Sequence, residues 1–298
     1  MRIGFCLPQY GELAARPDAV TTFARGAEEI GADSLWAGDR LLAAVRPSVG
    51  YVGSPDVPAE FRTVLDPFAV LTAAAAVTSR ALLGTSVLNA PFYPPSTLAR
   101  SLTSIDVISG GRLIPGFGTG WSPEEYQAVG VPMNQRGARL DECLDVLQAW
   151  WTGDPAEYHG TYWDIAASHI DLKPVQSPRP PVYLSAWAPA ALRRVARRAD
   201  GWLPSGVVPG RFDPAGLAAT LATIRHDASE AGRDPESIGV ALRINGVPPA
   251  TAADIADAFL QAREAGIGHA FADFMYLARN VDEALGLASE VHTRVSRG

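Results

Sequence analysis

Residues 82–118 read LLGTSVLNAPFYPPSTLARSLTSIDVISGGRLIPGFG. An apolar run opens at Leu82 and breaks in the turn chemistry of Asn89 and Pro91. A helical pattern follows from Ser96 to about Ser109, and Gly110-Gly111 closes it. A second apolar run opens at Leu113. Neither run alternates apolar with polar residues, as expected of strands buried on both faces of a parallel sheet. The stretch is a strand–helix–strand unit, and the rest of the chain repeats it.

Six more strand-like runs open at Ile3 (IGFCL), Ser34 (SLWAG), Val182 (VYLSAW), Gly201 (GWLPSG), Ile238 (IGVALRI) and His269 (HAFADF), which makes eight in all. Helical patterns lie between them. Val20, Phe23, Ala24, Ala27 and Ile30 recur at helical spacing before Gly31; Leu140, Cys143, Leu144, Leu147 and Trp151 form a second stripe; Ile255, Ala258, Phe259 and Ala262 form another before Gly266. Asp282 and Glu283 fall in the first turn of the last helix, where the helix dipole favours them. Eight alternations predict an α/β fold, a (β/α)8 barrel, rather than a doubly wound sheet with its reversal point. A barrel of about 250 residues leaves room for insertions after strands 2 and 4. Residues 40–66 read as an extended loop with Gly50, Gly53, Pro55 and Pro58. Residues 152–180 read as a hairpin (EYHGTYWDI) and a Pro-rich return. No linker divides the chain, so residues 1–298 are expected to form a single barrel domain.

The 298 residues carry 25 Lys+Arg against 32 Asp+Glu, for a formal charge of −7, with 47% hydrophobic and 19% charged residues. That composition is globular and makes a nucleic-acid partner unlikely by charge. No run is long and apolar enough for a transmembrane helix, and the run before Pro8 is too short for a signal peptide. Cys6 and Cys143 read as reduced core thiols of a cytoplasmic protein. The five His form no metal pattern and no GxSxG elbow occurs.

A barrel places its active site at the C-terminal ends of its strands. After strand 2 stand Trp36 and then Asp39-Arg40, a carboxylate and a guanidinium that either face a ligand or pair with each other on the surface. After strand 3 come Thr85, Ser86, Val87 and Asn89, with two small hydroxyls able to hydrogen-bond a planar ligand. After strand 4, Gly118-Thr119-Gly120 permits close backbone approach, and Trp121 follows. After strand 5, Ser185-Ala186-Trp187 precedes a helix opening at Pro189, whose free N–H groups make an anion site that Arg193 and Arg194 can reinforce.

Together these segments resemble the bacterial luciferase-like family, in the branch of coenzyme F420-dependent oxidoreductases. The resemblance rests on LWAGDR, LLGTSVLNAPFYPPSTLAR, SGGRLIPGFGTGWSPEEYQAVGVP, RGARLDECLDVLQAWW, EYHGTYW and KPVQSPRPPVYLSAWAPAALRRVARRADGWLP, in that order. It implies a flavin or deazaflavin across the barrel mouth. The ring would rest on Ser86 and Val87, joined by a non-proline cis bond in many relatives. Asn89 and the Gly118-Thr119-Gly120 backbone would contact the ring or ribityl chain. The phosphate would lie near Ser185, Ala186 and Trp187. Many relatives have Asp-His or Glu-His where this chain has Asp39-Arg40. The sugar-phosphate branch has Glu where this chain has Trp121, so that branch's substrate is not implied.

The resemblance predicts F420-dependent hydride transfer to or from a small organic substrate. Asp39 and Arg40 are then the catalytic candidates, and Trp36 and Trp121 the pocket walls. The alternatives are a monooxygenase using reduced FMN from a separate reductase, and a non-catalytic flavin-binding protein. An aldolase would need a strand-end lysine, and Lys173 lies in the insertion. The broad apolar face of residues 136–151, ending in Trp150 and Trp151, predicts a homodimer contact.

Overall fold

The computed structural model describes residues 1–51 and 54–298, so Gly53 of the predicted loop lies outside the described residues. Eight parallel barrel strands follow the eight apolar runs: β1 (Arg2–Cys6), β2 (Ser34–Ala37), β3 (Leu82–Thr85 and Leu88–Asn89), β4 (Leu113–Ile114 and Gly116–Gly118), β5 (Tyr183–Leu184), β6 (Gly201–Trp202 and Ser205–Val208), β7 (Gly239–Val240 and Leu242–Gly246) and β8 (His269–Asp273). Pairing runs around the ring in chain order and closes where Arg2 of β1 meets His269 of β8. Closure leaves no sheet edge exposed. The runs lack alternation because one face of each strand fills the barrel and the other meets the helices.

The helices sit where the periodicities predict. Ala19–Ile30 buries Val20, Phe23, Ala24 and Ala27, and it stops at Gly31, whose φ of 112° only glycine adopts freely. Asp66, Asp213 and Asn280 cap three other helices through their side chains, and Thr251 with Asp254 forms a capping box. After β4 a short helix, Pro123–Ala128, precedes the long helix Arg136–Thr152 and the antiparallel hairpin of Ala156–His159 with Asp164–Ser168. Glu142 holds the hairpin turn by accepting the N–H groups of Thr161, Tyr162 and Trp163. Lys173 donates to the carbonyls of Trp150 and Gly153 at 2.8 and 2.6 Å, at the end of the long helix.

Trp151 is buried, with Nε1 donating to Thr103 Oγ1 at 3.1 Å, and Trp150 packs partly buried against the same core. Much of the apolar face of residues 136–151 therefore packs inside the chain. One expectation changes, and it concerns Trp36. It is fully buried in the barrel interior, stacked 4.2 Å from Phe271, with Ile114, Leu203 and Ala241 around it. As an inward residue at mid-strand it fills a layer beneath the mouth instead of walling a pocket. Both cysteines are free thiols, Cys143 buried and Cys6 partly so.

Below Trp36 lies a buried polar chain. Trp36 Nε1 donates to Ser34 Oγ at 2.8 Å, and Ser34 Oγ lies 2.7 Å from His269 Nε2. Burial disfavours the charged ring, so the imidazole is neutral and shares one hydrogen with Ser34 Oγ. Burial, with Arg2 nearby, pushes His269 down to about 4. An unfolded histidine titrates near 6.5. Between these values the unfolded chain binds the extra proton, so this contribution is full above pH 6.5 and is lost as pH falls toward 4. Its full size is about 3 kcal/mol. His269→Asn should show a shallower loss of Tm than the wild type between pH 7 and pH 4.5. Parallel curves would remove His269 from the acid sensitivity.

Candidate active site

The C-terminal ends of the strands enclose a cleft of about 410 Å³. Asp39 and Arg40 reach it from β2, Ser86, Val87 and Asn89 from β3, Gly118, Thr119, Gly120 and Trp121 from β4, and Ser185, Ala186 and Trp187 from β5. Of the residues singled out from the sequence, Trp36, Thr85, Arg193 and Arg194 are not among the lining.

Asp39 is buried beneath the cleft surface. Its Oδ2 accepts the Asn89 N–H at 2.8 Å, and the Tyr93 hydroxyl also bonds the carboxylate. Burial pushes Asp39 up to about 6; the two hydrogen bonds and the charge of Arg40 oppose the shift, and Glu125 adds to it. Its carboxyl therefore exchanges a proton close to neutrality.

The surface pair of Asp39 with Arg40 does not form. Arg40 turns instead to the buried Glu125. Its guanidinium lies between the rings of Trp121 and Phe61, 4.7 and 5.2 Å from their centroids. Glu125 also accepts the N–H groups of Leu41 and Leu42 at 2.7 and 3.3 Å, so one carboxylate anchors both Arg40 and the start of the 40–66 loop.

The Ser86–Val87 peptide is cis. It interrupts β3 between Thr85 and Leu88, and its surroundings are built around it. Ser86 N–H donates to Ala37 O at 2.7 Å, and Ser86 O accepts Arg243 Nη1 at 2.9 Å. Arg243 in turn pairs with Asp273 of β8. Across from Val87, a Cβ on Gly118 would lie 2.6 Å from Val87 Cγ2. Gly120 has a φ of 64°, and a Cβ there would press on Asn89. The glycines of this turn are thus required by the packing of β3 on β4. Thr85 serves the same seam: its hydroxyl bridges to Gly116 O and accepts Gly116 N–H, both at 2.8 Å, and it is not offered to a ligand.

The helix Pro189–Arg198 opens beside the cleft with Pro189 at its first position and Ala188 as an N-cap that supplies no side-chain acceptor. Pro189 has no N–H and Ala191 N–H donates to Ala188 O at 2.9 Å, which leaves the N–H of Ala190 at this end for another acceptor. Neither arginine reinforces this end. Arg194 forks onto Asp141 at 2.6 and 2.9 Å, and Arg193 lies with Arg197 beside Asp227 and Glu230. Trp187 is 54% exposed and meets Trp202 edge-on at 5.9 Å. It stands between the cleft and a neighbouring cavity of about 700 Å³, which it lines together with Ser205.

Sequence reasoning missed Tyr10, Tyr51, Phe61, Arg243 and Asn245, all of which line the cleft. Arg243 left a legible signal, a lone charge in the apolar run IGVALRI. Tyr51 and Phe61 left none, because an aperiodic loop does not declare which of its residues fold inward.

The closed barrel and this cleft define an α/β-barrel protein with its site at the strand C-termini. The family model described as luciferase-like monooxygenase matches residues 1–294, and the chain belongs to that family of oxidoreductases. Among its relatives is a phthiodiolone/phenolphthiodiolone dimycocerosates ketoreductase of Mycobacterium tuberculosis (strain CDC 1551 / Oshkosh), 32% identical over 216 residues, which are 70% of this chain and 55% of the relative. The fold superposes on the monooxygenase RslO1 from Streptomyces bottropensis with a TM-score of 0.79 at 20% identity, over 100% of this chain and 99% of that one. It superposes on an F420-dependent secondary alcohol dehydrogenase, solved with an F420–acetone adduct, with a TM-score of 0.77 at 18% identity, over 99% and 98% of the two chains. Among the described residues no helix is long and apolar enough to cross a membrane.

Proposed function

We propose that this chain is an F420-dependent oxidoreductase that transfers a hydride to or from a small organic substrate. The observation that carries the reading is the single cleft that Ser86, Val87 and the Gly118-Thr119-Gly120 turn line together with a buried carboxyl held near pKa 6. The residues present fit a tricyclic cofactor. The cleft volume of about 410 Å³ lies inside the range of about 300–1,000 Å³ usual for ligand pockets. A Cβ on Gly118 would press on Val87, so the glycine keeps that part of the cleft open, and the Ala190 N–H at the helix start can help hold an anionic tail. Bound there, a deazaflavin supplies the carbon that accepts or gives the hydride.

The protein's own work is then positioning and proton traffic. Ser86, Val87 and Asn89 form the seat. Asp39 holds the proton that a carbonyl oxygen receives on reduction, or takes it from an alcohol on oxidation. Arg40, neutralised by Glu125, keeps Trp121 and Phe61 in place around the substrate. The relative's printed activity, a ketoreductase, is in keeping with such a reaction.

Superposition on a monooxygenase favours a second reading, oxygenation with reduced FMN supplied by a separate reductase. Fluorescence titration separates the two. F420 is expected to bind at micromolar concentration, on the order of tenfold more tightly than FMN, with no oxygen uptake on adding reduced FMN. Failure of F420 to bind, or oxygen uptake with reduced FMN, would overturn the proposal.

A further inference from the structure

Four aromatic side chains wall part of the cleft. Tyr10 follows β1, Tyr51 and Phe61 belong to the 40–66 insertion, and Trp121 follows β4. Their rings touch in a chain: Tyr10 to Phe61 at 5.5 Å, Phe61 to Tyr51 at 5.0 Å and Tyr51 to Trp121 at 5.4 Å between centroids. Such a wall offers a large apolar area and π faces to a ligand.

The charges of this half of the cleft are already matched. Arg40 pairs with Glu125, the side chains 7% and 0% exposed, and Arg243 pairs with Asp273, at 15% and 5%. The remaining group, Asp39, adds either nothing or one negative charge as it titrates. An anionic substrate entering here would give up its hydration without meeting a spare cation on this wall, and it would face Asp39 besides. An uncharged apolar body has little hydration to lose. The segment joining Arg40 to Tyr51 exposes Leu41, Val45 and Val49 at 49%, 97% and 47%, with the exposed Arg46 as its one charged side chain. Glu124 pins that segment by accepting Ser48 N–H and O–H at 2.8 and 2.6 Å.

Building on the hydride-transfer reading, we propose that the substrate is an uncharged, mainly apolar carbonyl compound or its alcohol, seated against the Tyr10–Phe61–Tyr51–Trp121 wall, and that carboxylated or phosphorylated analogues are rejected.

Acetophenone and 4-acetylbenzoate share a skeleton and differ by one carboxylate. Calorimetric titration of the full chain with each, with and without saturating F420, reads the preference directly. Acetophenone is expected to bind about tenfold more tightly than 4-acetylbenzoate. Tyr51→Ala, on the surface loop, and Trp121→Ala should each weaken acetophenone binding about fivefold while leaving the dissociation constant of F420 unchanged. Equal or tighter binding of the carboxylate, no binding of acetophenone, or variants without effect would overturn the inference. Absence of F420 binding would overturn the functional reading alone, since the ratio between the two ketones is measured without cofactor as well.

Discussion

Replacing Arg243 with methionine is expected to lower folding stability by about 3–5 kcal/mol, with a fall in Tm of roughly 10 °C. The change keeps most of the side-chain volume and removes the charge and the fork of donors. Three partners lose at once. Asp273, whose side chain is 5% exposed, is left as an uncompensated buried carboxylate. Ser86 O loses its donor at 2.9 Å. Cys6, whose thiol burial and Asp273 already push up, stays beside a charge with no counterion. Breaking one side of a buried pair is more damaging than removing both, so Arg243→Met combined with Asp273→Leu should recover part of the loss. Thermal melts of the single and double variants check this. A single variant melting with the wild type would show that the pair does not carry the seam between β3, β7 and β8.

Asp39→Asn is expected to reduce turnover by about 10²–10⁴-fold, the usual range for a lost general acid or base. The fold should survive, because an asparagine carbonyl can still accept the Asn89 N–H that Asp39 Oδ2 accepts at 2.8 Å. Affinity for F420 should stay within about twofold, since the asparagine keeps the hydrogen bond to Asn89. The pH profile carries the sign. With Asp39 held near 6, carbonyl reduction needs the protonated form, so its rate is high below that value and falls as pH rises through about 6. Alcohol oxidation needs the carboxylate, so its rate falls as pH drops through about 6. Steady-state profiles in both directions, wild type against Asp39→Asn, test it. Profiles flat around pH 6 in the wild type would take Asp39 out of the proton path.

The barrel was legible because its signals are local. Eight apolar runs without alternation, helical stripes between them and glycines such as Gly31 at the helix ends each state a backbone preference that the closed sheet then satisfies. The rim segments carried by the resemblance, from Asp39 through Trp187, also converge on one cleft. What sequence did not disclose depends on direction. Trp36 sits one residue before the end of β2, and pattern alone does not say whether so large a ring points down the barrel or up into the mouth. Arg194 follows the helix start closely in sequence but turns to Asp141 on a neighbouring helix, 53 residues away along the chain. Trp151 turns to Thr103, on a different βα unit. In each case the deciding contact is long-range, and periodicity carries no record of it.

Glu125 fastens Arg40, Leu41 and Leu42 to the short helix that begins just after Trp121. Two loops inserted at different points of the barrel are therefore bolted together by Glu125, with Glu124 adding a second tie at Ser48. Transplanting substrate preference onto another barrel of this kind would require moving both stretches, residues 40–66 and 121–128, as a matched set. A graft of either one by itself would strand a carboxylate or a guanidinium in the interior, and the recipient would be expected to misfold before its selectivity changed.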